Sequence, residues 1–141
     1  MSDKSVTMYT DGGSRGNPGP SACAAWFPSL GLGVSAFSPM ATNNVAEYEA
    51  LVLGLTEALR RGITHLRVKS DSTLMVNQVN GRWAVKNPAL SALCDEVRSL
   101  AARLEHFSIE YVPREQNAEA DRLCNEEMDA AENDDPMRFI A

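Results

Sequence analysis

Twelve residues, Tyr9-Thr10-Asp11-Gly12-Gly13-Ser14-Arg15-Gly16-Asn17-Pro18-Gly19-Pro20, constrain this chain more than any other stretch. Just before and into them, Lys4 to Thr10 carries Val6, Met8 and Tyr9 in a β-prone, largely apolar run, which predicts a buried strand. That strand ends on a carboxylate, Asp11. Four glycines and two prolines then turn the chain sharply, and Ser21 to Phe27 returns as a second strand. An acid at a strand end, beside a turn of exposed backbone N–H groups, suits a metal ion or a phosphate. A hairpin whose aspartate merely starts the turn accounts for the same residues equally well. Acids elsewhere in the chain must decide between the two.

Gly31 to Ser38, with Val34, Ala36 and Phe37, reads as a third strand closed by Pro39, so the chain opens with an antiparallel meander. Thr42 to Glu49 opens a helix that Gly62 ends. Asn44 is a good N-cap, and Glu47 three residues later completes a capping box. Val45, Tyr48, Val52, Leu55 and Leu59 recur at helical spacing and predict one buried face. His65 to Asp71 is a short strand that again finishes on an aspartate, followed by a short helix from Ser72 to Val79. Asn80 to Pro88 is a basic loop holding an aromatic. Ala89 to Leu104 is a helix, Phe107 to Val112 a fifth strand, Pro113 to Asn117 a loop, and Ala118 to Ala131 a last helix. This order predicts an α/β domain over residues 1–131, its mixed sheet having three antiparallel and two parallel strands covered by helices. Residues 132–141 are expected to form an acidic tail whose Phe139 and Ile140 could dock on the body.

No apolar run is long enough to span a membrane, and Met1-Ser2-Asp3-Lys4 lacks the apolar stretch of a secretion signal. Cys23, Cys94 and Cys124 are far apart, match no zinc pattern and are odd in number, which predicts reduced thiols and a cytoplasmic protein. A net charge of −6 argues at first against a nucleic-acid partner. Its distribution changes that. Residues 1–113 hold ten basic and ten acidic side chains, whereas residues 114–141 hold three and nine. The whole excess belongs to the last helix and tail, so a neutral body can still carry a local basic face.

Two strands, ending at Asp11 and Asp71, finish on a carboxylate. If both join one sheet in parallel, those carboxylates meet at the same edge. Glu47 and Asp121 each lie one turn into a helix. Four hard oxygen ligands, with no His or Cys set among them, suit Mg²⁺ or Mn²⁺. Without a cation such a cluster repels itself, so a purely structural account needs a separate cap or ion pair for each acid. Rival motifs are absent. The glycine loop lacks the Gly-Lys-Ser/Thr ending of a P-loop and leads into a strand rather than a helix. No Gly-x-Ser-x-Gly occurs, and neither His65 nor His106 has a nearby nucleophile.

At this point the chain resembles ribonuclease H of type 1. The matching pieces are Tyr-Thr-Asp-Gly-Gly-Ser-x-Gly-Asn-Pro-Gly at 9–19, Thr-Asn-Asn-x-Ala-Glu at 42–47, Ser-Asp-Ser at 70–72 and Asn-x-x-Ala-Asp-x-Leu at 117–123. Each is weak alone, but four in order along almost the whole chain are very specific. The resemblance implies five strands with helices on both faces, and metal-dependent cleavage of the RNA strand of an RNA–DNA hybrid to 5′-phosphate and 3′-hydroxyl ends. It makes Asp11, Glu47, Asp71 and Asp121 the catalytic acids. Asp11 would bridge two Mg²⁺ (or Mn²⁺) ions about 4 Å apart, Asp71 would complete the nucleophile-side metal site, and Asp121 would hold the other metal. Glu47 would also accept from the ribose 2′-OH, the contact that separates RNA from DNA. Asn17, Asn43 and Asn44 match amides that line the minor groove of the hybrid, and Thr42 and Asn87 match residues that hold a phosphate of the DNA strand.

Three positions depart from the pattern. Many members carry a histidine in the loop before the last acid. Here that loop is Pro113-Arg114-Glu115-Gln116-Asn117, so the resemblance leaves Glu115 as the titratable substitute and Arg114 as a phosphate contact. The stretch from Asn80 to Pro88 is too short for the basic helical protrusion of some members, and Arg82, Trp83 and Lys86 are what remains of that grip. Met40 stands where some members place a phosphate-binding arginine. Together these predict weak substrate binding with the chemistry intact. Two competing readings stay open: a related metal nuclease acting on double-stranded RNA or branched DNA, and a non-catalytic nucleic-acid module on the same fold. A monomer is expected.

Overall fold

A computed structural model describes residues 4–134. The elements run β1 (Val6–Ser14), β2 (Gly19–Phe27), β3 (Leu32–Ala41), α1 (Asn43–Arg60), β4 (His65–Ser70), α2 (Thr73–Val79), α3 (Pro88–Ala101), β5 (His106–Tyr111) and α4 (Ala118–Asp134). Short 3₁₀ turns at Pro28–Leu30 and Arg114–Gln116 link β2 to β3 and β5 to α4. The five strands form one sheet in the order β3-β2-β1-β4-β5. β1 pairs antiparallel with β2, and β2 with β3, while β4 and β5 add in parallel on the other side of β1. The expected mixed sheet is therefore present, with β1 at its centre.

Strand alternation divides β2 between two cores. Ala25 and Phe27 point to one face, where Met8, Leu66, Val68 and Ile109 from the sheet meet Tyr48, Leu51 and Leu55 of α1 and Val97 of α3. Ala22 and Ala24 point to the other, against Leu123, Cys124 and Met128 of α4. Helices thus cover both faces. α1 lies close to the sheet because Gly54 presents no side chain. A Cβ there would run into the sulfur of Met8 and press on Ala25. No described helix is long and apolar enough to cross a membrane.

Several boundaries differ from expectation, each for a local reason. β1 does not stop at Thr10: Asp11 to Ser14 continue the antiparallel ladder opposite Ala24 to Ser21. Glycines read as a turn are strand residues here, and the turn is confined to the residues after Ser14. β3 likewise runs through Pro39 to Ala41, because the edge strand can spare an N–H. α3 ends at Ala101, and α4 continues to Asp134, so residues 132–134 of the expected tail belong to the helix. Phe139 and Ile140 lie outside the described residues.

Candidate active site

The sheet register brings the first two acids together. Parallel pairing of β1 with β4 ends at Thr10 opposite Ser70. The next residue on each chain is an aspartate, so Asp11 and Asp71 stand side by side at the same edge. Asp11 is not at a strand end as the sequence suggests, yet the meeting occurs because the parallel ladder stops there.

Glu47 arrives from α1, and its local chemistry differs from the expected capping box. Thr42, not Asn44, caps the helix, its Oγ1 accepting from the Val45 N–H at 3.2 Å. Glu47 Oε1 instead accepts the Gly12 N–H at 3.0 Å, across 35 residues of sequence. That contact requires β1 to pass directly against α1, and Gly12 makes this possible. A Cβ at Gly12 would collide with the backbone carbonyl of Ala46. The glycine after the aspartate is thus a close-approach residue rather than a turn residue.

Asp121 lies in the first turn of α4, and two side chains fasten that helix to β1. Asn117, at its N-terminus, accepts the Asp121 N–H on its backbone oxygen at 3.1 Å, and its Nδ2 donates to Thr10 O at 2.9 Å. One turn beyond Asp121, the Cys124 thiol donates to Asp11 O at 3.0 Å. Helix and strand are therefore stitched together immediately before and at Asp11.

Oxygens of Asp11, Glu47 and Asp71 all lie within 4.8 Å of one another, and Asp121 comes within hydrogen-bonding reach of the Asp11 carboxyl. They line an open cleft of about 470 Å³, with Arg15, Asn43, Tyr111, Arg114 and Asn125 on its walls. Burial, and then the charges of Asp71 and Asp121, push the Asp11 carboxyl from 3.8 to about 8. Glu47 is raised by burial and by Asp11 and Asp71, against the pull of the Gly12 N–H. Asp71 is raised chiefly by burial, opposed by a hydrogen bond from Asn117 and the nearby charge of Arg114. Burial keeps the Cys124 thiol protonated. The donors offered to a ligand are thus carboxylate oxygens, without imidazole or thiolate. Their mutual repulsion is relieved by a cation, and an all-oxygen set of this charge fits a hard divalent ion such as Mg²⁺ or Mn²⁺.

The expected substrate residues separate into groups. Asn17, Thr42, Asn44 and Asn87 come together along a neighbouring groove of about 280 Å³. Thr42 and Asn87 cap α1 and α3, and Asn17 Oδ1 accepts the Asn43 N–H at 3.0 Å. Asn43 reaches the acid-lined cleft instead, where its Oδ1 accepts from Ser14 N and Oγ at 2.9 and 3.1 Å. Trp83, 47% exposed, lines a separate hollow with Asp95 and Arg98. Arg82 and Lys86 are exposed on the same loop, Arg82 donating to Asn77 Oδ1 at 3.1 Å. In the 3₁₀ turn, Arg114 lines the acid-lined cleft, whereas Glu115 is exposed and is not among its lining residues.

Sequence reasoning left four contributors unassigned: Arg15, Tyr111, Asn117 and Cys124. Asn117 and Arg15 stand inside the recognised motifs, at variable or unassigned places. Tyr111, 52% exposed, is an aromatic at the end of β5, opposite Ser70, the β4 residue just before Asp71. That placement was readable. Cys124 gave no signal beyond its helical spacing from Asp121.

The family described as "Reverse transcriptase-like" matches residues 29–127. The bifunctional protein Rv2228c of Mycobacterium tuberculosis is 43% identical over 147 residues, covering 96% of this chain and 40% of that protein. Ribonuclease HI of Halobacterium salinarum is 38% identical, covering 89% of this chain and 65% of that protein. This chain thus spans between two-fifths and two-thirds of the length of these curated relatives. The crystal structure of the Halobacterium enzyme superimposes with a TM-score of 0.85 at 36% identity, over 89% of this chain and 98% of that one. LC11-RNase H1, solved in complex with an RNA/DNA hybrid, superimposes with a TM-score of 0.84 at 36% identity, over 89% and 98%.

Proposed function

This chain belongs to the ribonuclease HI family, and from that premise we propose that it is an endoribonuclease cleaving the RNA strand of RNA–DNA hybrids. The reaction is phosphodiester hydrolysis with two divalent cations, Mg²⁺ or Mn²⁺, leaving 5′-phosphate and 3′-hydroxyl ends. The observation that carries this reading is the convergence of Asp11 of β1, Glu47 of α1, Asp71 just after β4 and Asp121 of α4, far apart in sequence, onto one open cleft. Ribonuclease HI relatives and a hybrid-bound structural neighbour support it.

The four acids are the residues that would hold the cations. Bound cations supply an activated water and take up charge on the leaving oxygen. The chain's own residues do the positioning. The Gly12 N–H orients Glu47, which would accept from the ribose 2′-OH and so select RNA. Asn117 and Arg114 favour the charged form of Asp71 against the opposing effect of burial. Asn43 continues the cleft toward the groove of Asn17, Thr42, Asn44 and Asn87, a path along which a duplex backbone can be followed by amides and hydroxyls.

The test is side-by-side cleavage of an RNA–DNA hybrid, double-stranded RNA and branched DNA, with Mg²⁺ or Mn²⁺, followed by analysis of the product ends. Preferential cutting of the hybrid's RNA strand is expected. Faster cutting of double-stranded RNA would move the chain to the related nuclease class, and binding without cleavage to the non-catalytic one.

A further inference from the structure

Arg15 stands at the tip of the β1–β2 hairpin and lines the same cleft as the four acids. Its backbone is fixed. The Arg15 N–H closes the turn on Pro20 O at 2.8 Å, and the preceding Ser14 is held by Asn43. Its side chain is held differently. One guanidinium nitrogen lies 2.7 Å from Asp129 Oδ1 and the other 3.1 Å from Glu132 Oε1, both in the second half of α4. The arginine is 35% exposed and its two partners 60% and 43%. Ion pairs this wet contribute little and exchange readily.

A phosphate offers the guanidinium fork a bidentate acceptor at least as good as two separate carboxylates. Arg15 and Arg114 are the cations among the residues lining the cleft, against four acids. Arg114 already acts on Asp71. A polyanionic backbone entering the cleft therefore meets Arg15 as the cation able to change partners.

We infer that Arg15 is an exchangeable phosphate clamp, held by Asp129 and Glu132 in the free protein and passed to a substrate backbone phosphate on binding, so that these two acids of α4 limit substrate affinity. The inference rests on the nucleic-acid reading above. It gives part of the acid excess of the last helix a function: two of its carboxylates compete with substrate for one arginine. A fastening role for the same ion pairs is the rival. It is disfavoured because α4 is already tied to β1 through Asn117 and Cys124 and packed through Leu123 and Met128.

The test is binding of a short fluorescein-labelled RNA–DNA hybrid, measured by anisotropy with Mg²⁺ in an Asp11→Asn background, together with steady-state kinetics in the otherwise native chain. Arg15→Ala should weaken binding about tenfold and flatten its salt dependence by about one phosphate contact. Asp129→Asn combined with Glu132→Gln should tighten binding severalfold and lower KM with kcat unchanged. Adding Arg15→Ala to that pair should abolish the gain. Glu126→Gln, which removes the same charge from α4 where its partner is Arg122, should change binding little.

Tightening that persists without Arg15, or that Glu126→Gln matches, reduces the effect to net charge and overturns the clamp. A fall in kcat at constant KM in both Arg15→Ala and the double variant overturns it in favour of fastening. Normal hybrid binding with an inert Arg15 series sinks the clamp alone. A native chain that neither binds nor cuts the hybrid sinks the proposed function with it.

Discussion

Replacing Asp11 by Asn should abolish cleavage yet stabilise the metal-free protein. Asp11 is 8% exposed, shares a 4.8 Å cluster with Glu47 and Asp71, and has Asp121 within hydrogen-bonding reach. Its carboxyl is pushed from 3.8 to about 8. The unfolded chain therefore releases this proton near 3.8, whereas the folded metal-free protein keeps it until about 8. Stability associated with the protonated group is fully present below 3.8. It is lost progressively as pH rises to about 8, and is constant above that.

At about 1.4 kcal/mol per unit, the three units between 3.8 and neutral pH set a ceiling of roughly 4 kcal/mol. The cleft is open to solvent, which screens part of the repulsion, so a gain of about 2 kcal/mol is the working figure. For a chain of this size that corresponds to a rise in Tm of about 5–8 °C. Thermal or urea unfolding in EDTA across about pH 4 to 8.5 would measure it. The gap between Asp11→Asn and the native chain should open with rising pH, then level off. Adding Mg²⁺ should narrow it, because the cation stabilises only the intact site. An Asn variant no more stable than the native chain at pH 7 in EDTA would refute the reasoning. So would a gain as large at pH 4 as at pH 8.

Glu47→Gln keeps an oxygen for the Gly12 N–H, so it should fold normally while cleavage falls by at least about a hundredfold. Circular dichroism and single-turnover kinetics on one hybrid would check both halves. Gly12→Ala should destabilise the chain by about 2–3 kcal/mol or prevent folding, because its Cβ meets backbone rather than a movable side chain. A melting temperature within a degree or so of the native value would contradict the close approach of β1 and α1. In the loop before α4, Arg114→Ala should raise KM severalfold, and Glu115→Ala should leave kcat within about twofold, since only Arg114 lines the cleft. A kcat loss of tenfold or more in Glu115→Ala would restore the titrating role that the missing histidine suggested.

The order of elements, the mixed sheet and the pair of aspartates at neighbouring strand positions were legible because periodicity and composition report local structure directly. What misled were residues with two uses. Gly12 and Gly13 look like turn residues by composition, but they extend β1. For Gly12 the reason is close approach to α1, a tertiary fact that no local pattern carries. Glu47 fits a capping box in sequence, but its carboxylate bonds a strand N–H 35 residues away. Asn44 and Thr42 are both good caps, and the choice of Thr42 follows from where β3 delivers the chain. Arg15 and Tyr111 gain their places in the cleft only through partners on α4 and β4.

The last helix shows why the site costs stability to assemble. α4 must bring Asp121 against acids that repel it, and it is held there by Asn117 and Cys124 on either side. Asn117 and Thr10 are both buried, yet Asn117 Oδ1 and Thr10 Oγ1 lack a hydrogen-bond partner among the described residues. Each such group costs about 1–3 kcal/mol. The segment that fixes Asp71 and Asp121 relative to Asp11 thus contains both the repelling carboxylates and the least satisfied polar atoms in the core. A cation bound by the acids offsets the first cost but not the second. Metal should therefore stabilise the native chain by cancelling charge, while Asn117→Ala should remain impaired even when metal is saturating. Its loss frees the start of α4 and takes a hydrogen bond from Asp71. Saturating Mg²⁺ that returned this variant to native stability and native kcat would show that charge alone, and not the Asn117 tether, organises the site.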